Sequence, residues 1–225
     1  MSFCEDDRDV HYNPYVVPMI VSVWNIENIS NPTMIYGSDL EEYVYIMDYF
    51  TLIEVDGESI DLAQLEYNQG RYTFPSSGEH IIKYAFLDDF FSENTFDGCT
   101  GLTSVEIPNG FTTIPALSFA NCTSLTSVTI PNSVTEIGGS AFASCSGLTS
   151  VTIPNRVTSI RNNAFYSCSR LASVTVEATT PPTLENYAFA NTNCPIYVPS
   201  GSVNAYKSAS GWSNYSSRIQ AIPTT

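Results

Sequence analysis

LTSVTIPNSVTEIGGSAFASCSG occupies residues 125–147, and LTSVTIPNRVTSIRNNAFYSCSR follows at once as residues 148–170. Aligning these copies with the flanking sequence gives columns of identical residues at intervals of 23. Two of these are the Phe column and the Cys column, formed by Phe96, Phe119, Phe142 and Phe165 and by Cys99, Cys122, Cys145 and Cys168. A fixed period of about 20 to 50 residues is typical of a solenoid. The sequence therefore predicts stacked repeats, each burying its apolar side chains against its neighbours.

Each repeat begins with the pattern Leu-x-x-Val-x-Ile, as at residues 125–130. This pattern matches the strand of leucine-rich repeats, which turns its apolar residues into the stack. Pro131 is expected to end the strand, because proline cannot donate a hydrogen bond to the ladder. A second short inward stretch is expected at 134–137. The apolar spacing at 141–145 then fits one helical turn.

The chain in front of the repeats has a different composition. Residues 1–98 hold 19 of the 23 acidic residues and 3 of the 8 basic residues, a net charge of −16. Residues 1–18 are charged and aperiodic and are predicted to form an acidic tether. Short β-type runs in 19–90 predict a small antiparallel β-sandwich of immunoglobulin-like type. So acidic a front repels phosphate backbones, which argues against nucleic acid as a partner.

The front domain and the repeats are expected to share one sheet. Ile82 and Tyr84 precede Val105 and Ile107 by 23 residues, so residues 79–86 are predicted to be rung zero of the stack. Such a strand would cover the open edge of the first repeat. The solenoid is predicted to span 91–199, and 200–225 are predicted to form a C-terminal cap over the other end. The predicted fold is thus mostly β.

The cysteines of the Cys column are predicted to be reduced, buried thiols. Side chains in a stacked column all point the same way, whereas a disulfide requires converging Cβ vectors. A straight column also cannot provide tetrahedral metal ligands. No stretch of the sequence reaches the roughly 20 apolar residues that span a bilayer. We therefore predict no cofactor, no metal site and no transmembrane segment.

The outward positions of the predicted first strands form a flat, hydroxyl-rich surface with almost no charge. This hydroxyl face consists of Thr103, Ser104, Thr126, Ser127, Thr129, Thr149, Ser150, Thr152, Ser173 and Thr175. Rows of hydroxyls can hydrogen-bond a glycan or an extended peptide. Alternatively, threonine is simply favourable in exposed strands. Arg156, Arg161 and Arg170 form a second candidate surface, which could meet an acidic partner such as the front of another copy.

No catalytic motif is present in the sequence. G-x-S-x-G, the P-loop, H-E-x-x-H and C-x-x-C are all absent. His11 and His80 are too far apart in sequence to suggest a motif, and His80 is expected at the edge of a β face. The sequence therefore predicts that the protein is not an enzyme.

AFASCSGLTSVTIPNRVTSI at 141–160 and its copies resemble the BspA-type leucine-rich repeats of bacterial surface proteins. CPIYVPSGSVNAYKSASGW at 194–212 resembles the terminal cap of that group. The resemblance covers about residues 92–222 and excludes the front domain. It implies a non-enzymatic protein of the cell surface that binds a host or bacterial surface protein or glycan. Similar repeats also occur in phages of gut bacteria, so the alternative is a structural or decoration protein of a virion.

Cys4 is followed directly by Glu5, Asp6 and Asp7. A cysteine before acidic residues resembles the mature start of Bacteroidetes surface lipoproteins, in which that cysteine carries the lipid. Only three residues precede Cys4, which leaves no signal peptide in front of it. The natural start lies upstream, or Met1 was added to a mature sequence, or the likeness is chance. The lipoprotein reading implies an outer-membrane or extracellular location, and the alternative is a virion.

Overall fold

The computed structural model describes residues 19–26, 33–34, 50–60, 71–72, 74, 76–86 and 93–224. The predicted acidic tether with Cys4 lies outside these ranges. The strands of the front part are β1 (Met19–Ile26), β2 (Thr33–Met34), β3 (Phe50–Val55), β4 (Glu58–Ser59), β5 (Arg71–Tyr72) and β6 (Gly78–Phe86). Asp56 and Gly57, both at positive φ, form the turn between β3 and β4.

Each of the first four repeats contains two short strands, and the last contains one. In chain order these are β7 (Leu102–Glu106), β8 (Thr113–Ile114), β9 (Ser127–Thr129), β10 (Glu136–Ile137), β11 (Ser150–Ile153), β12 (Ser159–Ile160), β13 (Ser173–Val176), β14 (Thr183–Leu184) and β15 (Ile196–Val198). The odd-numbered members are the first strands of their repeats, and the even-numbered members are the second strands. The fold is thus mostly strand, as predicted.

Successive repeats pair in parallel and in register. Ser104 on β7 lies opposite Ser127 on β9, and Ser150 on β11 lies opposite Ser173 on β13, 23 residues apart in both cases. β9 and β11 are connected where the amide of Thr149 donates to the carbonyl of Thr126 at 3.2 Å. The second strands form their own parallel sheet in the order β14–β12–β10–β8. Equivalent residues therefore form continuous columns along the stack.

The Phe column forms a continuous stack of rings in the core. Neighbouring ring centroids lie 5.2 to 5.3 Å apart, with interplanar angles of 8° or less. Phe189, 24 residues after Phe165, adds a fifth ring to the column. Tyr84 covers the front end, with its centroid 4.9 Å from that of Phe96 in an edge-on geometry. Parallel rings at this spacing bury both faces of every inner phenylalanine, so the column makes up the centre of the core.

The front sheet continues into the first repeats, but rung zero is not where the sequence pattern places it. The sheet order is β4–β3–β6–β1–β7–β9, so β1 lies between β6 and the first repeat and is antiparallel to both. Ser22 on β1 pairs with Ile82 on one side and with Val105 on the other. The offset of 23 residues thus identifies two positions on the same row, with one strand inserted between them. Residues 79–86 are not the direct neighbour of β7.

The front domain contains a second small sheet. β2 pairs with β5 antiparallel, separately from the sheet that holds β1, β3, β4 and β6. On β6, the side chains of His80, Ile82 and Tyr84 are buried, while Ile81 between them is exposed. This alternation agrees with a strand that has one face on a core. The immunoglobulin-like arrangement itself stays a prediction.

The C-terminal residues cover the last repeat. A 3₁₀ turn at Ser200–Ser202 leads into α1 (Val203–Ser208), a second 3₁₀ turn at Trp212–Tyr215, and β16 (Ile219–Ala221), which pairs in parallel with β15. Tyr206 donates its hydroxyl proton to the Ala178 carbonyl at 2.8 Å. Trp212 donates to the Pro182 carbonyl at 2.7 Å. Both aromatic side chains are fully buried, so they form a lid on the core.

Adjacent glycines allow a test of how closely neighbouring repeats approach. A Cβ on Gly138 would lie 2.6 Å from the backbone nitrogen of Ala116, whereas one on Gly139 would come no closer than 3.6 Å to another atom. Neither glycine has a positive φ. We therefore expect Gly138→Ala to lower the free energy of unfolding by about 1–3 kcal/mol through overpacking. Gly139→Ala is expected to be neutral or to raise it by about 0.4–1 kcal/mol.

Urea denaturation of the two variants measures this difference directly. The pair is matched, because the substitutions are identical and one residue apart. Equal stabilities for the two variants would contradict the close contact between these repeats.

Candidate interaction surface

The hydroxyl face consists of three rows that differ in their hydrogen bonding. Two rows lie on the strands themselves: a serine row and a threonine row. Their members are Ser104, Ser127, Ser150 and Ser173, and Thr129, Thr152 and Thr175. All seven side chains are exposed or half-exposed, and within the described ranges none of their hydroxyls has a hydrogen-bond partner. These seven hydroxyls can therefore donate to and accept from a partner molecule.

The third row consists of Thr103, which lies in β7, and of Thr126 and Thr149, which lie just before β9 and β11. Thr126 donates its hydroxyl proton to the carbonyl of Thr103 at 3.0 Å, and Thr149 donates to the carbonyl of Thr126 at 3.2 Å. Thr135 and Thr158 repeat this arrangement before the second strands. Threonine at these positions thus binds the preceding repeat. The hydroxyl protons of Thr126 and Thr149 are already engaged within the solenoid.

The ends of the threonine row carry different side chains. Glu106 lies opposite Thr129 at one end, and Tyr197 lies opposite Thr175 at the other. Gln220 on the cap strand β16 pairs with Tyr197 and extends the row by one residue. The hydroxyl face is therefore a neutral strip that runs across the first strands, with one acidic end.

The three arginines named from the sequence do not form a cluster. Arg161 binds Glu136 through two hydrogen bonds of 3.1 and 3.0 Å and binds Glu185 at 2.8 Å. These hydrogen bonds raise the pKa of Arg161 and lower the pKa of Glu185. Arg156 follows the end of β11, whereas Arg170 precedes β13, so the two lie at opposite ends of the parallel first strands. No joint anion-binding surface results.

Sequence reasoning missed the ion triad that Arg161 forms. The three charged residues come from successive repeats, spaced 25 and 24 residues apart. That spacing, close to the repeat length, was the signal in the sequence. The triad is exposed to solvent, so it contributes little to stability.

None of the cysteines in the Cys column forms a disulfide. Each thiol donates to the carbonyl of a phenylalanine in the preceding repeat: Cys122 to Phe96 at 3.1 Å, Cys145 to Phe119 at 3.0 Å and Cys168 to Phe142 at 3.1 Å. Cys99 and Cys194 are also buried and form no disulfide. Burial raises the pKa of the Cys122 and Cys145 thiols well above the usual value and that of Cys168 to about 12. The thiols are therefore structural groups and not nucleophiles.

His80 is held in the front domain by two acceptors. Its Nδ1 donates to Oδ2 of Asp56 at 2.6 Å, and its Nε2 donates to the carbonyl of Ser76 at 2.9 Å. Both ring nitrogens can donate at once only in the imidazolium form. Burial of the ring opposes this charge, but the hydrogen bonds to Asp56 and Ser76 and the charge of Asp56 outweigh burial, and the pKa of His80 is raised. This pair joins the β3–β4 turn to β6.

The described residues also bear on metal binding and on membrane spanning. In the described ranges, no group of three or more His, Cys, Asp and Glu side chains is placed to hold a metal ion. None of the helices in those ranges is long and apolar enough to cross a membrane.

Two exposed tyrosines were not among the predicted site residues. Tyr187 is 67% exposed and Tyr166 is 37% exposed. At the equivalent positions, all the remaining repeats hold residues other than tyrosine. This difference between repeats was the signal in the sequence.

Parallel strands in register, short turns and a column of buried phenylalanines together define a leucine-rich repeat solenoid. The model of the BspA type leucine-rich repeat region matches residues 89–206 in six copies. The chain belongs to this family, as its sequence motifs indicate. No curated protein matches the chain.

Two solved structures are similar to part of the chain. A leucine-rich cell surface protein from Faecalibacterium prausnitzii has 27% sequence identity and a TM-score of 0.36, over 48% of this chain and 38% of that protein. A leucine-rich repeat protein from Bacteroides ovatus has 19% identity and a TM-score of 0.32, over 58% of this chain and 50% of that protein. The chain therefore covers half or less of the length of either relative.

The His80–Asp56 pair predicts a pH-dependent stability. The pKa of His80 is raised above its ordinary value of 6.5, so its contribution is complete below that value and is lost as the pH rises through the folded pKa. The pKa of Asp56 is lowered from 3.8, mainly by the hydrogen bond from His80, so its contribution is complete above 3.8 and is lost at lower pH. The pair therefore stabilises the fold fully between these two values.

Thermal unfolding of wild type and His80→Gln tests this dependence. We expect the variant to lose more stability at about pH 5.5 than at about pH 9, because the charged ring binds Asp56 only at the lower pH. The difference should be on the order of 1 kcal/mol, since solvent screens the half-exposed Asp56. Lys83→Gln on the same strand is the control and removes an exposed charge. An identical loss by His80→Gln at both pH values would show that the ring is not charged.

The buried thiols predict resistance to alkylation. We expect Cys99, Cys122, Cys145 and Cys168 in the native protein to react with iodoacetamide at least roughly a hundredfold more slowly than after unfolding, because only an opened structure exposes them. Peptide mapping by mass spectrometry measures each cysteine separately. A disulfide-linked peptide, or rapid labelling of any one of the four, would contradict the structure.

Proposed function

We propose that the protein is a non-enzymatic, surface-exposed interaction protein that binds a partner protein or glycan through the hydroxyl face. The observation that carries this proposal is the set of seven exposed hydroxyls on the serine and threonine rows, which lack partners within the described residues. They lie on strands that pair in register, so a bound molecule meets them already in place. Adhesion is the role that we assign to this binding.

The cell surface is the proposed location. In support, one of the similar solved structures is a leucine-rich cell surface protein. We propose that the front domain is an immunoglobulin-like stalk that carries the solenoid, and that Cys4 is the site of lipid attachment. Cys4 lies outside the described residues, and a virion location has no particular observation in its favour.

Lysine substitutions on the hydroxyl face test the proposed function. Ser150→Lys with Thr152→Lys places two long, charged side chains across the serine and threonine rows. Thr123→Lys with Ser169→Lys adds the same charge at exposed positions outside the strands. Wild type and both double variants are compared by biolayer interferometry on immobilised fibronectin, fibrinogen and laminin, and by labelling of whole gut-bacterial cells.

We expect the first pair to weaken binding at least tenfold, because it blocks the hydroxyls and costs desolvation of two charges. The control pair should bind like wild type. The melting temperatures of both should stay close to that of wild type, because surface substitutions outside special features change stability little. Equal binding by the two pairs, or no binding of wild type to any probe, would count against the hydroxyl face.

A further inference from the structure

Two tyrosines interrupt columns that hold small, polar or aliphatic residues elsewhere. The position two residues before each of the five stacked phenylalanines is occupied by Asn94, Leu117, Ser140, Asn163 and Tyr187. The position directly after each of these phenylalanines is occupied by Asp97, Ala120, Ala143, Tyr166 and Ala190. The stack therefore folds around alanine or asparagine at these positions. Tyrosine in this part of the solenoid needs another reason.

The backbone at Tyr187 strengthens this argument. Its φ is 60°, and the whole column shares this left-handed conformation, with φ between 55° and 62°. Asparagine tolerates that region, whereas a bulky side chain is disfavoured there. Tyr187 is also 67% exposed, so burial does little to offset the strain. Leu117 in the same column has a comparable φ of 58°, but it is less exposed, at 37%, and carries no ring.

Backbone hydrogen bonds bring the two tyrosines to the same edge of the solenoid. The amide of Asn163 donates to the carbonyl of Asn186 at 3.1 Å, which puts Tyr187 one repeat above Asn163. The amide of Tyr166 donates to the carbonyl of Asn163 at 2.9 Å, one turn further along. In the described part of the chain, no aromatic ring or guanidinium group stacks on either tyrosine. Both rings therefore remain open to a ligand.

The polar groups between the tyrosines are uncharged. The side-chain amides of Asn163 and Asn186 have no hydrogen-bond partner within the described residues. The charged residues beside them, Arg161 and Glu185, are bound to each other. A ligand at this edge thus meets aromatic faces and amide groups, and the neighbouring Arg161 is already paired with Glu136 and Glu185.

We propose that Tyr166, Tyr187 and the amides of Asn163 and Asn186 form a binding site for a neutral saccharide. The faces of tyrosine rings stack on the C–H faces of a pyranose, and amides donate to and accept from its hydroxyls. An anionic polymer would require a free cation, and a helical peptide would require a continuous apolar groove. Two separate rings flanked by amides offer neither. This site is distinct from the hydroxyl face and goes beyond the proposed function.

Two substitutions that restore residues found in other repeats test this site. Tyr166→Ala and Tyr187→Asn remove the rings without disturbing the stack. The full chain and its variants are assayed by saturation-transfer difference NMR and on an array of neutral glucose, galactose, mannose and N-acetylglucosamine oligosaccharides. We expect the double variant to bind the best wild-type saccharide at least tenfold more weakly. Its melting temperature should equal or exceed that of wild type, because Tyr187→Asn relieves strain.

Leu117→Ser is the matched control. Leu117 has a φ of 58° in the same column as Tyr187, three repeats away, so the substitution relieves comparable strain far from the site. Saccharide binding by this variant should be unchanged. The proposal is overturned if wild type binds no neutral saccharide, or if the double variant binds like wild type.

The hydroxyl-face variants separate this proposal from the proposed function. Ser150→Lys with Thr152→Lys should leave saccharide binding by the tyrosine site intact. Saccharide binding that is lost only in those variants would overturn the tyrosine site and favour the hydroxyl face. Loss of binding to matrix proteins in the tyrosine variants, with no saccharide bound, would also overturn it and would identify a protein partner instead.

Discussion

The stacking of five phenylalanine rings at intervals of about 5.3 Å is the interaction on which the rest of the structure depends. A single repeat has too few apolar residues to enclose a core, so each ring is buried only when repeats lie on both sides of it. The first and last rings lack one neighbour and need another cover. Tyr84 provides it at the front, and Trp212 with Tyr215 provides it at the back. The column therefore explains why the front sheet and the cap are both attached to it.

The distance between repeats divides the hydroxyl and thiol side chains into those that bind a neighbouring repeat and those that do not. Threonine just before β9, β10, β11 and β12 reaches the carbonyl of the preceding repeat, so its hydroxyl proton is used to hold the stack. Serine and threonine on the strands point outward at the strand spacing and find no such carbonyl. The cysteines belong to the first group, since their thiols donate to phenylalanine carbonyls within the core. The seven hydroxyls on the serine and threonine rows therefore remain available to a partner molecule.

The sequence predicts the repeats well because every repeat reports the same physical environment. Periodicity identifies the inward residues, the short strands and the buried thiols without any knowledge of tertiary structure. It does not report which strand lies beside which, so the insertion of β1 between β6 and β7 could not be read from the offset between Ile82 and Val105. Backbone conformation is equally hidden. The column of Tyr187 is visible in the sequence, but its positive φ is known only from the structure.

Because the repeats fold alike, a residue that differs from its equivalents in the other repeats can be tested against the packing around it. Gly138 departs from Pro115 and Arg161 at the same position in neighbouring repeats, and a close approach of the backbone accounts for it. Its absent Cβ is thus explained by packing alone. Tyr187 departs in the opposite direction, since it adds a large ring where the backbone disfavours one and little is buried in return. A departure that packing explains calls for no ligand. Packing does not explain the exposed ring of Tyr187, which is why the proposed saccharide site is assigned to it.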